Sequence, residues 1–244
     1  MRLAVDESGA GERCAVLVHG IMSDSRAWHR VRADLEEQGY RVIAVDLAGH
    51  GRSPRARRYS PTAWADDVAE TVAPLLDREP DVIVGHSLGA LVASIVAERL
   101  AARATIYVDP AFAFPRGARG LVYKLAFGLM PRPGRRMLAR MNPKWAAEDV
   151  ELETASVRAW DRRTVLGLAD TRVLAPPRVV RVPSLVILAE KSLLITQEVR
   201  TRLQYHGMTV TMLPGSGHTV FRDDHAGFMR LVTGWLAQAL PARI

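Results

Sequence analysis

The chain has 244 residues, 48% of them apolar and 24% charged, with a formal charge of +7, the size of one large α/β domain or of a domain carrying one insertion. That balance excludes disordered and collagen-like chains, and no run approaches the roughly 18 uninterrupted apolar residues of a membrane-spanning helix. One cysteine, Cys14, excludes an internal disulfide and a thiolate-based metal cluster.

From the first residue onward, acids at Asp6 and Glu7 stand where a secretory leader needs its apolar stretch, which predicts a cytoplasmic protein. The run from Cys14 to His19 reads as a strand, and Trp28, Val31 and Leu35 then recur at helical spacing until Gly39 stops the pattern. Arg41 to Asp46 is the next strand. Ser60 followed by Pro61 predicts an N-cap and a first-turn proline for a helix carrying Val68, Val72 and Leu75. Asp81 to Val84 is a third strand, running into Gly85-His-Ser-Leu-Gly89 and an alanine-rich helix to about Ala101, and Ala104 to Asp109 is a fourth. Strands alternating with helices predict a mostly parallel sheet with helices on both faces.

From Pro110 this rhythm breaks. Residues 111–180 lack strand-like alternation, carry six prolines as punctuation, and have helix-prone stretches near 117–130, 134–141, 145–157 and 161–174. The whole charge excess lies there: 13 basic against 6 acidic residues, with 20 of each in the remainder. Arg119, Arg132, Arg135, Arg136 and Arg140 sit among leucines and methionines without interleaved stacking aromatics, the pattern of a solvated helical face rather than a nucleic-acid surface. Alternation resumes with a strand from Ser184 to Glu190, a helix near 196–205, a strand from Thr209 to Leu213 and an amphipathic helix from about Asp223 to Ala239. The predicted organisation is a core of 1–110 and 181–244 interrupted once by a helical segment, 111–180.

Three sites on this plan carry chemistry. The pentad around Ser87 has glycines that permit a sharp strand-to-helix turn with the serine at its apex. Alone it is a weak signal in a glycine-containing chain. Here an apolar strand enters it and a helix leaves it, which puts Ser87 above the carboxyl ends of the strands, where open α/β sheets bind ligands. His19-Gly20-Ile21-Met22 ends the first strong strand. An acyl-transfer oxyanion needs two backbone donors, one from Leu88 after the nucleophile and one from this loop, for which Ile21 is the first candidate and Met22 the second. Gly215-Ser-Gly217-His218 lies between the last strand and the last helix. Its small neighbours leave the imidazole free to reach Ser87, so His218 is the candidate base.

In order and spacing, His19-Gly20, Asp46-Leu-Ala-Gly-His-Gly-Arg-Ser53, Gly85-His-Ser-Leu-Gly89 and Gly217-His218 resemble the α/β-hydrolase fold superfamily, lid-bearing serine esterases and lactonases in particular, over nearly the whole chain. The resemblance implies an eight-stranded, mostly parallel sheet with a helical lid after the sixth strand, here residues 111–180, and an opening hairpin reduced to about Arg2 to Ser8. It leaves the acid open. Many lid-bearing members carry an aspartate after the seventh strand, where this chain reads Ala189-Glu190-Lys191-Ser192. Haloalkane dehalogenases and zearalenone-type lactonases place theirs after the sixth strand, where this chain has Asp109. Asp109 is therefore the expected acid, with Glu190, Asp223, Asp224 or no acid as alternatives.

The chemistry implied is an acyl-enzyme on Ser87 formed with His218 as base and Asp109 as its orienting acid, needing no cofactor and no metal. The expected partner is a medium-sized apolar ester or lactone, with neither nucleic acid nor a membrane span, and the oligomeric state, a homodimer included, is open. Phe112, Phe114, Leu121, Phe127, Met130, Met137, Met141, Trp145 and Trp160 are candidates for pocket wall or lid core, with Met22 and, by similarity to lactonases bearing a lid tryptophan, Trp160 as substrate contacts. A cofactor-independent lyase, C–C hydrolase or dioxygenase, and a non-catalytic ligand receptor, remain alternatives on the same fold.

Overall fold

Seven strands form one sheet in the order β1-β3-β2-β4-β5-β6-β7. The computed structural model describes residues 1–112, 122, 128–168, 177, 180–190, 192 and 194–241. β1 (Val5–Ser8) runs antiparallel to β3 (Tyr40–Val45), and β2 (Arg13–Val18), β4 (Val82–His86), β5 (Thr105–Val108), β6 (Ser184–Ala189) and β7 (Thr209–Leu213) pair in parallel. The expected eight strands are thus seven among the described residues, because the single strand β1 takes the place of an opening hairpin.

The parallel strands read as continuous β-branched runs because both faces are covered, and side chains alternate between two cores. Val16 and Val18 face one side, packed with Trp64, Ala65 and Val68 of α2 (Pro61–Val72) and Leu91 and Val92 of α3 (Leu88–Arg99). Ala15 and Leu17 face the other, packed with Val31 and Leu35 of α1 (His29–Glu37) and with Phe228, Val232 and Leu236. The predicted cap of α2 is present: Ser60 Oγ accepts the Ala63 N–H at 3.1 Å, with Pro61 in the first turn.

Between β5 and β6 the described chain holds three helices, α4 (Arg135–Met141), α5 (Ala147–Ala159) and α6 (Thr164–Gly167). The expected helix near 117–130 and the end of that near 161–174 lie mostly outside the described residues. Asp161 ties this segment to the core: its amide donates to the Gly49 carbonyl at 2.8 Å and its Oδ2 accepts the Tyr59 hydroxyl at 2.8 Å. Against the upward push of burial, hydrogen bonds from Arg163 and Tyr59 bring the Asp161 carboxyl down to about 2.

After β6 come α7 (Gln197–Tyr205), β7, α8 (Val220–Asp223) and α9 (His225–Ala239). The expected final helix from about Asp223 to Ala239 is α9, which Asp224 caps by accepting the Gly227 N–H at 2.9 Å, and the four-residue α8 before it is an addition to the predicted elements. No helix among the described residues is long and apolar enough to cross a membrane.

The junction of β4 and α3 is the tightest place in the core. A Cβ on Gly89 would overlap the carbonyl oxygens of Val18 and His19, and one on Gly85 would overlap the backbone of Gly89 and Ala90. Since backbone atoms cannot swing aside as a flexible side chain does, Gly89→Ala is expected to destabilise the fold by about 2 kcal/mol or more. Urea unfolding at neutral pH measures it, and a loss within experimental error would refute the close-packing account.

Candidate active site

Four loops at the carboxyl edge of the sheet converge here, as the strand order requires. Ser87 is the single residue between β4 and α3, at φ 52° and ψ −115°, a conformation that costs a non-glycine residue on the order of 1–3 kcal/mol. Its backbone is held on both sides. The amide donates to the Val108 carbonyl at 3.0 Å, and the carbonyl accepts the amides of Ala111 at 3.0 Å and Ala90 at 3.2 Å. Leu88, next in sequence, opens α3, where amides lack intrahelical acceptors and the helix dipole is positive.

His218 sits in the loop between β7 and α8. Asp223 Oδ2 accepts the Gly217 N–H at 2.7 Å, and the His86 imidazole reaches the His218 carbonyl through Nε2 at 3.0 Å. His218 Nδ1 lies 2.6 Å from Oδ2 of Asp109. An ionised carboxylate can only accept, so Nδ1 carries a proton, and in the neutral imidazole Nε2 then keeps its lone pair. Asp109 is 1% exposed and turns at φ 37°, with its amide on the Ile187 carbonyl at 2.8 Å and its Oδ1 accepting the Ala189 N–H at 3.3 Å.

The third loop is a turn in which the Ser23 N–H reaches the Gly20 carbonyl at 3.4 Å, with Met22 at φ 70°. His19 braces it in one neutral tautomer: Nε2 accepts the Leu47 N–H at 2.9 Å, so Nδ1 donates to the Gly20 carbonyl at 2.7 Å. Gly20 is required by contact, since a Cβ there would stand 2.9 Å from His86 Nδ1 and 3.3 Å from Ser87 Cβ. Ser87, His218, Leu88, Ile21 and Met22 all line one cavity of about 290 Å³.

Trp160, expected on the cavity wall, is not among its lining residues. It is buried and donates from Nε1 to Thr164 Oγ1 at 2.6 Å, a bond that points the indole into the packing beneath the segment. Phe112 is buried with its ring edge-on to Tyr107, Trp145 lies under the Arg222 guanidinium, and Met130, Met137 and Met141 face solvent. Phe114, Leu121 and Phe127 lie outside the described residues. Of the alternative acids, Glu190 is exposed, while Asp223 and Asp224 accept backbone amides as already described. Ser192 Oγ accepts the amides of Leu194 at 3.3 Å and Ile195 at 3.1 Å, so it caps a turn. The cavity's polar lining also includes Ser23, Glu153 and Arg222, which sequence reasoning missed; the only signal was an acid four residues after Asp149 on a helix. Among the described residues no group of three His, Cys, Asp or Glu side chains could hold a metal ion.

Residues 15–231 match the sequence profile of the alpha/beta hydrolase family. The chain belongs to the alpha/beta hydrolase family. Among curated members it is similar to Lipase LipV of Mycobacterium tuberculosis, 38% identical over 113 residues that make up 43% of this chain and 40% of LipV. It is also similar to Methylesterase 1 of Arabidopsis thaliana, 34% identical over 96 residues, 38% of this chain and 36% of that protein. These alignments span well under half the length of either relative. Among solved alpha/beta hydrolase structures, the esterase EaEST from Exiguobacterium antarcticum superposes with a TM-score of 0.80 at 18% identity, covering 96% of this chain and 95% of that one. Est816, titled an N-acyl homoserine lactone degrading enzyme, gives 0.75 at 22%, covering 95% and 96%. At those identities the superpositions establish the shared hydrolase fold.

Two histidines of this hydrolase site are held neutral. Burial, with His19 adding to it, pushes the His50 imidazole down to about 3, and burial with the neighbouring His218 holds His86 well below the usual imidazole range. The unfolded chain takes up protons at these positions as pH falls through 6.5 while the native state refuses them, so native stability decreases with acidification. Each such group contributes about 1.4 kcal/mol per pH unit in that window. Urea unfolding at several pH values between 6 and 5 is expected to give a shallower slope for His50→Gln than for the parent; equal slopes would mean that His50 protonates in the folded state.

Proposed function

We propose that the protein is a serine hydrolase that cleaves a carboxylic ester or lactone of a medium-sized apolar substrate through an acyl-enzyme on Ser87. The observation that carries this reading is the 2.6 Å contact between His218 and the buried Asp109, made by an imidazole that lines the same cavity as a serine on a strained strand-to-helix bend. In this mechanism His218 Nε2 takes the Ser87 proton as Oγ attacks the acyl carbon. Asp109 fixes the tautomer and stabilises the imidazolium, while the Leu88 and Ile21 amides hold the oxyanion. His218 then protonates the leaving alcohol and, once water enters, activates it to release the acid and restore Ser87.

The lining supports the substrate class. Ile21, Leu88, Val165, Leu168, Leu194 and Phe221 surround the serine with apolar surface, which suits an acyl or alkyl chain. Val165 and Leu168 belong to residues 111–180, which we assign as a lid over the core, and Met22 is the substrate contact on the opposite loop. The names of similar proteins, a lipase, a methylesterase, an esterase and a lactone-degrading enzyme, fall in the same reaction class.

Release of 4-nitrophenol from its butyrate ester is expected from the parent and not from Ser87→Ala. Asp109→Asn is expected to lower kcat by about a thousandfold or more, the loss that follows when a triad acid no longer fixes its histidine, and Glu190→Gln by less than about tenfold. The reverse ranking would move the acid to the end of β6, and an inert parent across ester, lactone and thioester panels would overturn the hydrolase reading.

A further inference from the structure

The cavity beside Ser87 has one charged wall. Glu153 of α5 accepts on a single oxygen, Oε2, from Ser23 Oγ at 3.0 Å and from Arg222 Nη1 at 2.8 Å. The three residues come from the lid segment, the oxyanion turn and α8, and all three line the cavity. Arg222 is 3% exposed and is countered a second time by Asp149, whose Oδ1 stands 3.3 Å from its Nε. Asp149 also faces His29 Nε2 at 3.0 Å and Arg30 Nη1 at 4.0 Å. The guanidinium lies between two carboxylates, one of them lining the cavity, and its Nε and Nη2, which make no hydrogen bond, are buried beyond the reach of a substrate anion.

An anionic group placed beside Glu153 meets a like charge in a partly dehydrated site, where such repulsion is strong. A neutral donor meets an acceptor with capacity to spare, because both bonds recorded on the carboxylate fall on Oε2 and an ionised carboxylate offers about four acceptor sites. We propose that Glu153 is a specificity-determining residue: it favours esters that carry a neutral hydrogen-bond donor, a hydroxyl or an amide N–H, and rejects esters that carry a carboxylate. The proposal rests on the hydrolase reading for its substrate class, and the test separates the two.

Three methyl esters of similar length, methyl valerate, methyl γ-acetamidobutyrate and monomethyl glutarate, are compared by pH-stat with the parent and with Glu153→Gln, each variant first checked for a cooperative thermal transition. The parent is expected to prefer the amide ester over the carboxylate ester by about tenfold or more in kcat/KM, and Glu153→Gln to raise the glutarate-to-valerate ratio about tenfold. Gln retains one oxygen to accept from Ser23 and Arg222, removes the charge, and puts an NH2 donor in place of the second carboxylate oxygen, so the preference for a neutral donor is expected to weaken with it. The same esters are titrated calorimetrically into Ser87→Ala and into the Ser87→Ala, Glu153→Gln double variant, which reads recognition without turnover. A glutarate-to-valerate ratio that Glu153→Gln leaves unchanged in both assays overturns the proposal. A shifted binding preference in a parent that hydrolyses nothing sustains it and sinks the hydrolase reading instead.

Discussion

One backbone conformation organises the carboxyl edge of the sheet: the φ 52° bend at Ser87. A serine has no intrinsic reason to occupy it, and the conformation persists only because the surroundings over-determine it. β4 lies in the middle of the sheet between β2 and β5, α3 packs directly back on it, and Gly85 and Gly89 remove the side chains that would hold strand and helix apart. The apolar burial of Val82, Ile83, Val84, Leu91 and Val92, at roughly 1.5–3 kcal/mol for each large aliphatic side chain, exceeds the strain several times over. Given that bend, the turn after β2 approaches so closely that a Cβ at position 20 would crowd the His86 ring and the Ser87 side chain.

The second constraint is electrostatic and comes from the neighbouring strand. Asp109 continues the ladder by one amide bond to Ile187 and then turns back, so its carboxylate stands at the end of β5 with one oxygen on the Ala189 N–H and the other on His218. Adjacent parallel strands are about 4.8 Å apart, so an acid at the end of β6 would approach the same imidazole from one strand further along. In this chain that neighbouring loop is used otherwise: Ser192 caps its own turn, Glu190 faces solvent, and the Glu190 amide donates to the Ser216 carbonyl at 3.1 Å, bracing the loop that carries His218. The two loops share the work, one supplying a carboxylate and the other backbone support.

Much of the core was legible because its signals are local. Short apolar runs rich in β-branched residues locate β2 to β7 within one or two residues, and Ser60-Pro61 marks the start of α2. Legibility failed where the deciding partner is remote in sequence. α8, only four residues long, is too short to show a helical period in the sequence. His50, in a segment that reads as a loop, is fully buried against His19 and Trp64, because the loop folds in against the end of β2 and α2. Trp160 is expected on the pocket wall by similarity to lactonases with a lid tryptophan, but an indole N–H needs an acceptor when buried, and Thr164, which does not line the cavity either, supplies it four residues on. The Glu153–Arg222 pair joins residues 69 positions apart, and nothing in either local pattern announces the other.

That pair also explains why recognition and chemistry are hard to separate in this architecture. α8 begins two residues after His218 and is four residues long, yet it touches three parts of the molecule. Phe221 stacks on Trp28 at 4.3 Å and meets the His86 ring edge-on at 5.3 Å, which fixes the helix to the core beside the His218 loop. Arg222 enters the helical segment between β5 and β6, lying over the Trp145 ring at 4.6 Å between Asp149 and Glu153. A buried guanidinium deprived of such partners is destabilising by about 3–5 kcal/mol, more than a four-residue helix can resist by its own hydrogen bonds. The carboxylates of α5 therefore do two things at once: they set the polarity of the cavity wall, and they keep in place the short helix from which the His218 loop is suspended. A replacement at position 153 that still accepts a hydrogen bond from Arg222 keeps this anchor of α8, so charge there is separable from the support of the helix while hydrogen-bonding capacity is not.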